Sequence, residues 1–385
     1  MNTVTIKDVA LRAGVSPATA SRVLSGNPAT SAESRAQVEQ AVRELDFRPN
    51  AQARALRSTR SDTVGLLVSD VRNPFFADLA HTIEQSLLEL GYVTLLGNAN
   101  ENREQQDRYL DTLISRRVDG VIVAPQGTDS ASIDSLLARE VPTVFVDRTI
   151  PGVDVPSVTT DSRPGIRAAV QHLVDLGHRR VGYVAGPQSV STGRERLEAW
   201  TAAAAELGLS SDPELVYVGD FQSASGSAAV HALFELDEPP TALLAADSLM
   251  AVGAIAMLNR LGKRIGDDVA VIAFDDIEWF SLLDPALTVI SHSVEEMGRI
   301  AVQLLHDVIE GRTPDSVTLP SELIVRESTT RASGGTSGGA GRGSAPGTSA
   351  TRESDATRAS SSPGSAARVP AERTDPTHPR TPGRN

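Results

Sequence analysis

Apolar residues fall at helical spacing through the first 45 positions and in short unbroken runs beyond residue 60, so the chain changes architecture near that point. Ile6, Val9 and Ala10 form one helical face, behind a Thr5/Asp8 variant of the capping box. Gly14 suits the left-handed residue that ends a helix, and Val15 would plug the corner. Ser16 caps a second helix and Pro17 takes its first position, where a missing N–H loses nothing. There Ala20, Val23 and Leu24 face inward, leaving Ala18, Thr19, Ser21 and Arg22 outside. A third helix, 32–45, starts after Ser31 and turns Val38, Ala41, Val42 and Leu45 to the same core, with Phe47 closing it. Two short helices across a tight turn, with small polar side chains and one arginine outward, are the pattern of a helix-turn-helix, for which DNA is the first partner to consider. Caps and periodicity alone fit a helical hairpin in an unrelated core equally well.

The stretch 49–60 has a different character. Asn50 can cap about two turns over 51–57, but no adequate buried face is present, and so short a helix is marginal in water. Such a segment would fold only against a partner. Its arginines and the lone Leu56 suit a DNA minor groove, the charges meeting phosphates and the leucine wedging between base steps. A solvated basic linker is the plainer alternative.

From residue 61 to 331 the pattern repeats in two halves. Runs at 63–69 (TVGLLVS), 118–125 (VDGVIVAP) and 142–147 (PTVFVD) are followed by 180–187 (RVGYVAGP), 240–246 (PTALLAA) and 268–275 (DVAVIAFD). Apolar runs of this length between helices read as buried parallel strands of βαβ units. Helices at 78–90, ended by Gly91, and 194–207, ended by Gly208, fit the crossovers. About 270 residues suffice for two doubly wound lobes, with a ligand expected beyond the strands' carboxyl ends.

Charge follows the same division. The chain carries a formal −13, yet residues 1–60 hold nine basic groups against five acids, a net +4, and residues 332–385 a net +3. By difference, residues 61–331 carry −20. Positive charge therefore collects at the end with the outward arginine, and the acidic middle is kept off a phosphate backbone.

TIKDVALRAGVSPATASRVLSG, then FRPNAQARALRS, then TVGLLVSDVRNPFFADL, resembles the lactose-repressor (LacI/GalR) family of bacterial transcription regulators. RRVDGVIVAP, VPTVFVDR, DLGHRRVGYVAGP, ERLEAW, VAVIAFDD and PALTVISHS follow in the family's order, so the similarity runs from about residue 3 to 331. The resemblance implies an all-α helix-turn-helix headpiece (1–48), a hinge helix (49–60) and an α/β core of two doubly wound, periplasmic-binding-protein-like lobes (61–331). It also implies a homodimer on a palindromic double-stranded operator, chain crossings between the lobes near Thr160, Ser291 and Pro320, and a small-molecule effector held between them. The DNA-contact positions it points to are Thr5, Ser16, Pro17, Ala18, Thr19, Ser21 and Arg22, with Ala53, Leu56 and Arg57 in the hinge and Leu56 as the wedge. Ala20 stands where the family usually has valine. Pro17 and Ala18 cannot read a base by a side-chain hydrogen bond, so Arg22 is the strongest polar reader.

The candidate effector residues follow the strands. Phe75 and Phe76 come after the first run, Asp147 ends the third, Asp247 follows the fifth, and Asp275 with Asp276 ends the sixth. Arg196 lies near the start of the helix after the fourth run, and Phe221 offers an opposing aromatic. Acids, an arginine fork and aromatic plates suit a polyhydroxylated ligand, whose hydroxyls need donors and acceptors while its C–H face needs packing. By resemblance, Phe75, Phe76, Asp147, Arg196, Phe221 and Asp275 match effector-contact positions. Val190 stands where the purine-responsive branch has arginine, and His292 where glutamine is common, which leaves its role open. Plainer readings exist: an Asp after a strand caps the next helix, and Arg196 pairs with Glu195 or Glu198 on an exposed face. Trp200 reads as core, and His172 and His178 as packing or capping groups.

Enzyme chemistry has little to stand on. Without cysteine there is no thiol nucleophile, disulfide or thiolate metal site. His-Glu-x-x-His is missing, and Gly262-Lys263 lacks the rest of a phosphate loop. The glycine-rich run 334–343, which spells Gly-x-Ser-x-Gly at 335–339, is low-complexity sequence that follows no strand and so makes no nucleophile elbow. No cofactor or metal is expected. A transport-type solute-binding protein would share the two lobes but would need an export signal and have no use for residues 1–60; with no signal core and no long apolar run, a cytoplasmic protein without membrane contact is expected. Residues 332–385 are Gly, Ser, Ala, Thr, Pro and Arg with almost no apolar side chain, so a disordered tail is expected. It holds no leucine for a tetramer-forming heptad, which favours a dimer.

Overall fold

The computed structural model describes residues 4–24, 29–47 and 60–329. The expected hinge helix and disordered tail lie outside the described residues.

Among the described residues the N-terminal unit has three helices: α1 (Ile6–Arg12), α2 (Pro17–Leu24) and α3 (Ala32–Glu44). Val9, Ala10, Ala20, Val23, Val38 and Ala41 are buried together, with Ile6, Val15, Leu24, Val42, Leu45 and Phe47 packed around them. Gly14 has φ +67°, the left-handed geometry that lets α1 turn into α2 without a Cβ penalty. Ser16 Oγ accepts from Thr19 N at 3.1 Å and Ser31 Oγ from Ser34 N at 3.2 Å, so both following helices start on a serine cap.

The remainder is two sheets. The first joins β1 (Thr63–Val68), β2 (Val93–Asn98), β3 (Gly120–Val123), β4 (Thr143–Val146), β5 (Ser157–Asp161) and β11 (Val317–Pro320), all parallel, in the order β11-β5-β4-β3-β1-β2. The second joins β6 (Val181–Ala185), β7 (Val216–Val218), β8 (Ala242–Ala245), β9 (Ala270–Phe274), β10 (Thr288–Ser291) and β12 (Glu322–Ile324), in the order β12-β10-β9-β8-β6-β7. Here β12 runs antiparallel to β10, a departure from the all-parallel expectation. The strand order reverses about β1 in one lobe and β6 in the other, as in a doubly wound sheet.

Helices cover both faces of each sheet: α4 (Pro74–Glu89), α5 (Arg103–Arg116), α6 (Ala131–Ala138) and α11 (Val294–Ile309) in the first lobe; α7 (Arg163–Asp175), α8 (Ser191–Leu207), α9 (Ser223–Phe234) and α10 (Ser248–Arg260) in the second. The chain therefore crosses between lobes after β5, after β10 and between β11 and β12. Ser321 ties two crossings together, donating to Asp161 O at 2.7 Å and accepting from Gly165 N at 3.1 Å. In the second lobe α9 and α10 meet backbone to backbone: a Cβ on Gly226 would lie 2.0 Å from Met250 O, and one on Gly253 1.8 Å from Ser223 O.

All six expected runs are strands. The other six strands were not expected: β2, β7, β11 and β12 are edge strands, not enclosed on all sides, and the neighbouring β5 (SVTTD) and β10 (TVIS) mix hydroxyl residues into their runs. Val93, Leu96 and Val218 are more than half exposed. The expected helices begin a turn earlier than the apolar spacing suggests, at Pro74 and Ser191, so Phe75 and Phe76 lie on a helix rather than in a loop. Trp200 is core, stacked on Tyr183 at 4.7 Å, and His172 and His178 bond Thr329 and Thr241. Among the described residues no helix is long and apolar enough to cross a membrane.

Candidate functional site

In the helix-turn-helix, Thr5, Ser16, Pro17, Ala18 and Arg22 are exposed, while Thr19 and Ser21 are half-buried. Three of these hydroxyls already have partners, Ser16 Oγ and Thr19 Oγ1 meeting each other at 2.9 Å. Thr5 Oγ1 donates to Asp8 Oδ2 at 2.7 Å, where the Thr5 amide donates as well, and Ser16 Oγ caps α2. Arg22 lies along the helix, its Nε reaching Ala18 O at 3.4 Å. Ala53, Leu56 and Arg57 lie outside the described residues.

The second group of candidates converges where the carboxyl ends of both sheets face each other. Asn73 caps α4 by accepting from Phe75 N at 3.0 Å, and Pro74 opens the helix. Phe75 and Phe76 meet edge to face at 4.8 Å. Across the gap, Arg196 is only 6% exposed, donates to Ala246 O at 2.6 Å and lies flat over Phe274 at 3.6 Å. It does not pair with Glu195 or Glu198 on an exposed face. Asp247 does cap α10, through Met250 N at 2.8 Å, but its Oδ2 also accepts from Asn73 Nδ2 of the other lobe at 2.9 Å. The capping reading of that aspartate therefore holds, and the same carboxylate also reaches the other lobe. Ser248 Oγ completes the bridge by donating to Asn73 Oδ1 at 3.0 Å.

Asp147, Phe221 and Asp275 all have φ between +62° and +70°. Aspartate tolerates this region, whereas an aromatic residue there is strained, and such strain collects where side-chain direction is functional. Together these turns aim two carboxylates and a ring into the cleft.

The central group of the cleft is one sequence reasoning missed. Arg148 is 2% exposed and lies between Phe76 of one lobe and Phe221 of the other, at 5.7 and 5.2 Å from their centroids. The two plates offered to a ligand are thus bridged by a guanidinium. Glu101 holds it through two bonds of 2.7 and 2.8 Å, and Gln126 Oε1 accepts from it at 2.9 Å. Arg148 stands beside Asp147 in VPTVFVDR, a signal that was there to be read; Glu101 and Gln126 carry no local signal. Further cross-lobe bonds run from Arg72 Nη2 to Gln222 Oε1 (2.7 Å), from Gln222 Nε2 to Asp70 Oδ2 (3.2 Å), and from Thr149 N to Ser191 Oγ (3.0 Å).

Burial dominates the electrostatics. It pushes Asp247 up to about 8, with Asp275 adding to the effect, and Asp275 up to about 6 against the pull of Arg196. Asp147 is raised by the same burial. Burial works against the charge of Arg148, but Glu101, Asp147 and Asp247 outweigh it. Burial and then Arg196 lower His292 to about 3. A cavity of about 620 Å³ lies elsewhere, over Ala199, Ala202 and Ala203; Arg163 and Arg167 on its rim pair with Asp161 and Glu206. Among the described residues no group of three or more His, Cys, Asp or Glu could hold a metal ion.

A helix-turn-helix on a two-lobed core with a polar, buried interlobe cleft defines a ligand-controlled DNA-binding regulator. Comparison with known proteins agrees. Residues 5–50 match the bacterial regulatory proteins, lacI family, and residues 170–329 the periplasmic binding protein-like domain. The HTH-type transcriptional repressor CytR of Escherichia coli (strain K12) is 33% identical over 329 residues, 84% of this chain and 96% of that protein. The lac repressor dimer bound to operator and the anti-inducer ONPF superposes with a TM-score of 0.76 at 29% identity, covering 86% of this chain and 100% of that one. The transcriptional regulator CelR–cellobiose complex gives 0.65 at 34%, covering 84% and 99%. The chain belongs to the lacI family. It is a DNA-binding transcriptional regulator with a small-molecule-binding core.

Proposed function

We propose that the chain is a cytoplasmic, homodimeric repressor without catalytic activity, whose affinity for a palindromic operator is set by a polyhydroxylated effector, a sugar or related metabolite, held between the lobes. One observation carries this reading. Ten buried side-chain polar atoms lack a hydrogen-bond partner among the described residues, and five lie in or beside the cleft: Arg148 Nε, Thr192 Oγ1, Asp275 Oδ1 and both ring nitrogens of His292. Buried polar atoms are normally paired, so a cluster of unpaired ones marks where a partner binds. The set mixes donors with acceptors, which a hydroxylated ligand satisfies. Glu101, Asp147 and Asp275 already balance Arg148 and Arg196, which leaves no net positive charge to attract an anionic ligand.

At the DNA end, Arg22 would read a guanine edge, with Thr5, Ser16, Thr19 and Ser21 on phosphates or bases, Pro17 and Ala18 in apolar contact, and the hinge residues Ala53, Leu56 and Arg57 in the minor groove. The similar proteins support both ends: one is a lac repressor dimer on its operator, another a regulator bound to cellobiose. An effector that re-forms the Asn73–Asp247 and Arg72–Gln222 bridges differently would shift one lobe on the other, and the three crossings would pass that shift to the hinge, a coupling between two sites. Footprinting the full chain on DNA upstream of its own coding sequence tests the proposal. A palindromic protected stretch is expected; the absence of any protection contradicts it.

A further inference from the structure

His292 is at the second crossing, between β10 and α11, with its side chain 1% exposed. Among the described residues neither ring nitrogen has a hydrogen-bond partner, and neither does Asp275 Oδ1, 4.0 Å from Nδ1. The imidazole is held by rings instead: Phe75 at 5.3 Å and Phe274 at 6.1 Å. A cavity of about 360 Å³ adjoins it at the interlobe crossings, where Glu296 and Glu322 are the charged lining groups. Arg196 is the cation that acts on the ring, and with burial it keeps the imidazole neutral, leaving one N–H donor and one lone pair.

A buried imidazole and a buried carboxylate that fail to bond each other are costly to the free protein. Their separation is nevertheless informative. An oxygen about 2.8 Å from both atoms would subtend an angle of about 90°. A hydroxyl oxygen fits that geometry, accepting on one side and donating on the other.

We propose that His292 is a specificity-determining residue of the cleft: one hydroxyl of the effector bridges it to Asp275, accepting from the Nδ1–H of the imidazole and donating to Oδ1 of the carboxylate. This rests on the reading of the cleft as the effector site. It requires the Nδ1–H tautomer, and it excludes several groups from that position. A carbonyl, ether or phosphate oxygen has no proton for Asp275, and an ammonium has no lone pair for the imidazole.

The test uses the full chain as wild type, His292→Leu and His292→Gln, followed by thermal unfolding with and without cellobiose, glucose, galactose, ribose or cytidine. Any sugar that shifts the wild type is then compared with its monodeoxy analogues. Without ligand, His292→Leu is expected to melt at or above the wild-type temperature, because an unpaired polar ring has been replaced by an apolar side chain. Its affinity for the active sugar should fall on the order of 100-fold, with His292→Gln recovering part of the loss through its amide N–H, and one monodeoxy analogue should lose as much on the wild type. If His292→Leu melts lower, the ring has a structural partner such as a resident water, and the proposal is overturned. Unchanged affinity in His292→Leu overturns it while leaving the effector reading intact. No shift of the wild type by any probe overturns the effector reading, and the role of the pair with it.

Discussion

The helix-turn-helix and the interlobe cleft solve opposite problems. In the first, the contacts that shape the surface join residues three or four apart: Thr5 to Asp8, Ser16 to Thr19, Ser31 to Ser34 and Ala18 to Arg22. Its candidate reading groups are mostly exposed, and beyond Gly14 the turn needs no strain. In the second, the decisive contacts join residues 22 to 175 positions apart, as in Arg148–Gln126 and Ser248–Asn73. The cleft buries four carboxylates and two guanidiniums and holds Asp147, Phe221 and Asp275 in left-handed backbone. One surface waits for a partner in water. The other keeps unpaired polar atoms away from water, which lowers stability and leaves bonds to be made by a ligand.

The largest effect separating the two should come from Asp275→Ala. It removes Oδ1, an acceptor unbonded among the described residues, together with the carboxylate's bond from the Ser248 backbone. The effector's effect on operator affinity should therefore vanish while ligand-free operator binding stays within about twofold, measured by fluorescence anisotropy. Parallel loss of operator binding would join regions the account keeps apart. Arg22→Ala should be the mirror image. Specific operator affinity falls about 10- to 100-fold, non-specific affinity less, and the ligand-induced thermal shift is retained; loss of both functions would indicate misfolding. Leu56→Ala, in the hinge, should lower operator affinity by about tenfold and non-specific affinity less, and equal losses would refute the wedge.

The smallest effect is the pH dependence of stability. Asp247 at about 8 and Asp275 at about 6 are raised, so the folded chain holds protons that the unfolded chain has released; their contribution is complete below the ordinary aspartate value of 3.8 and is lost as pH rises through 6 and 8. His292, lowered from 6.5 to about 3, runs the other way: its contribution is complete above 6.5 and lost as pH falls toward 3. The opposing slopes overlap below 6.5. Between about 6.5 and 8 only the carboxylates act, so the melting temperature of the ligand-free chain should decline across that window, and Asp247→Asn, which resembles the protonated acid, should flatten the decline. A melting temperature that rises with pH there contradicts the buried-acid picture.

The same contrast explains what the sequence disclosed. Helix caps, the Gly14 turn and the inward faces of α1 to α3 are set by neighbours along the chain, and were legible there. So were the six buried strands, since a strand covered on both faces is apolar throughout. The other six were not: in the edge strands β2, β7, β11 and β12 half-exposed residues break the run, and in β5 and β10 hydroxyl residues do. In the cleft, an aspartate or arginine at a strand end or helix start could be nominated singly, but whether it meets a partner depends on topology. Arg148 is the sharpest case. Phe76 and Phe221 were read as plates for a ligand, whereas a guanidinium from this chain lies between them, held by Glu101 and Gln126. No spacing along the chain pairs residues 101, 126 and 148.

The most direct test of the coupled switch is an operator titration, using the protected sequence found by footprinting, with wild type and Asp275→Ala, each with and without the sugar that shifts the wild-type melting temperature. The account predicts that the sugar moves wild-type operator affinity by tenfold or more, in either direction, and leaves Asp275→Ala unmoved. Equal displacement of both proteins, or of neither, would contradict it.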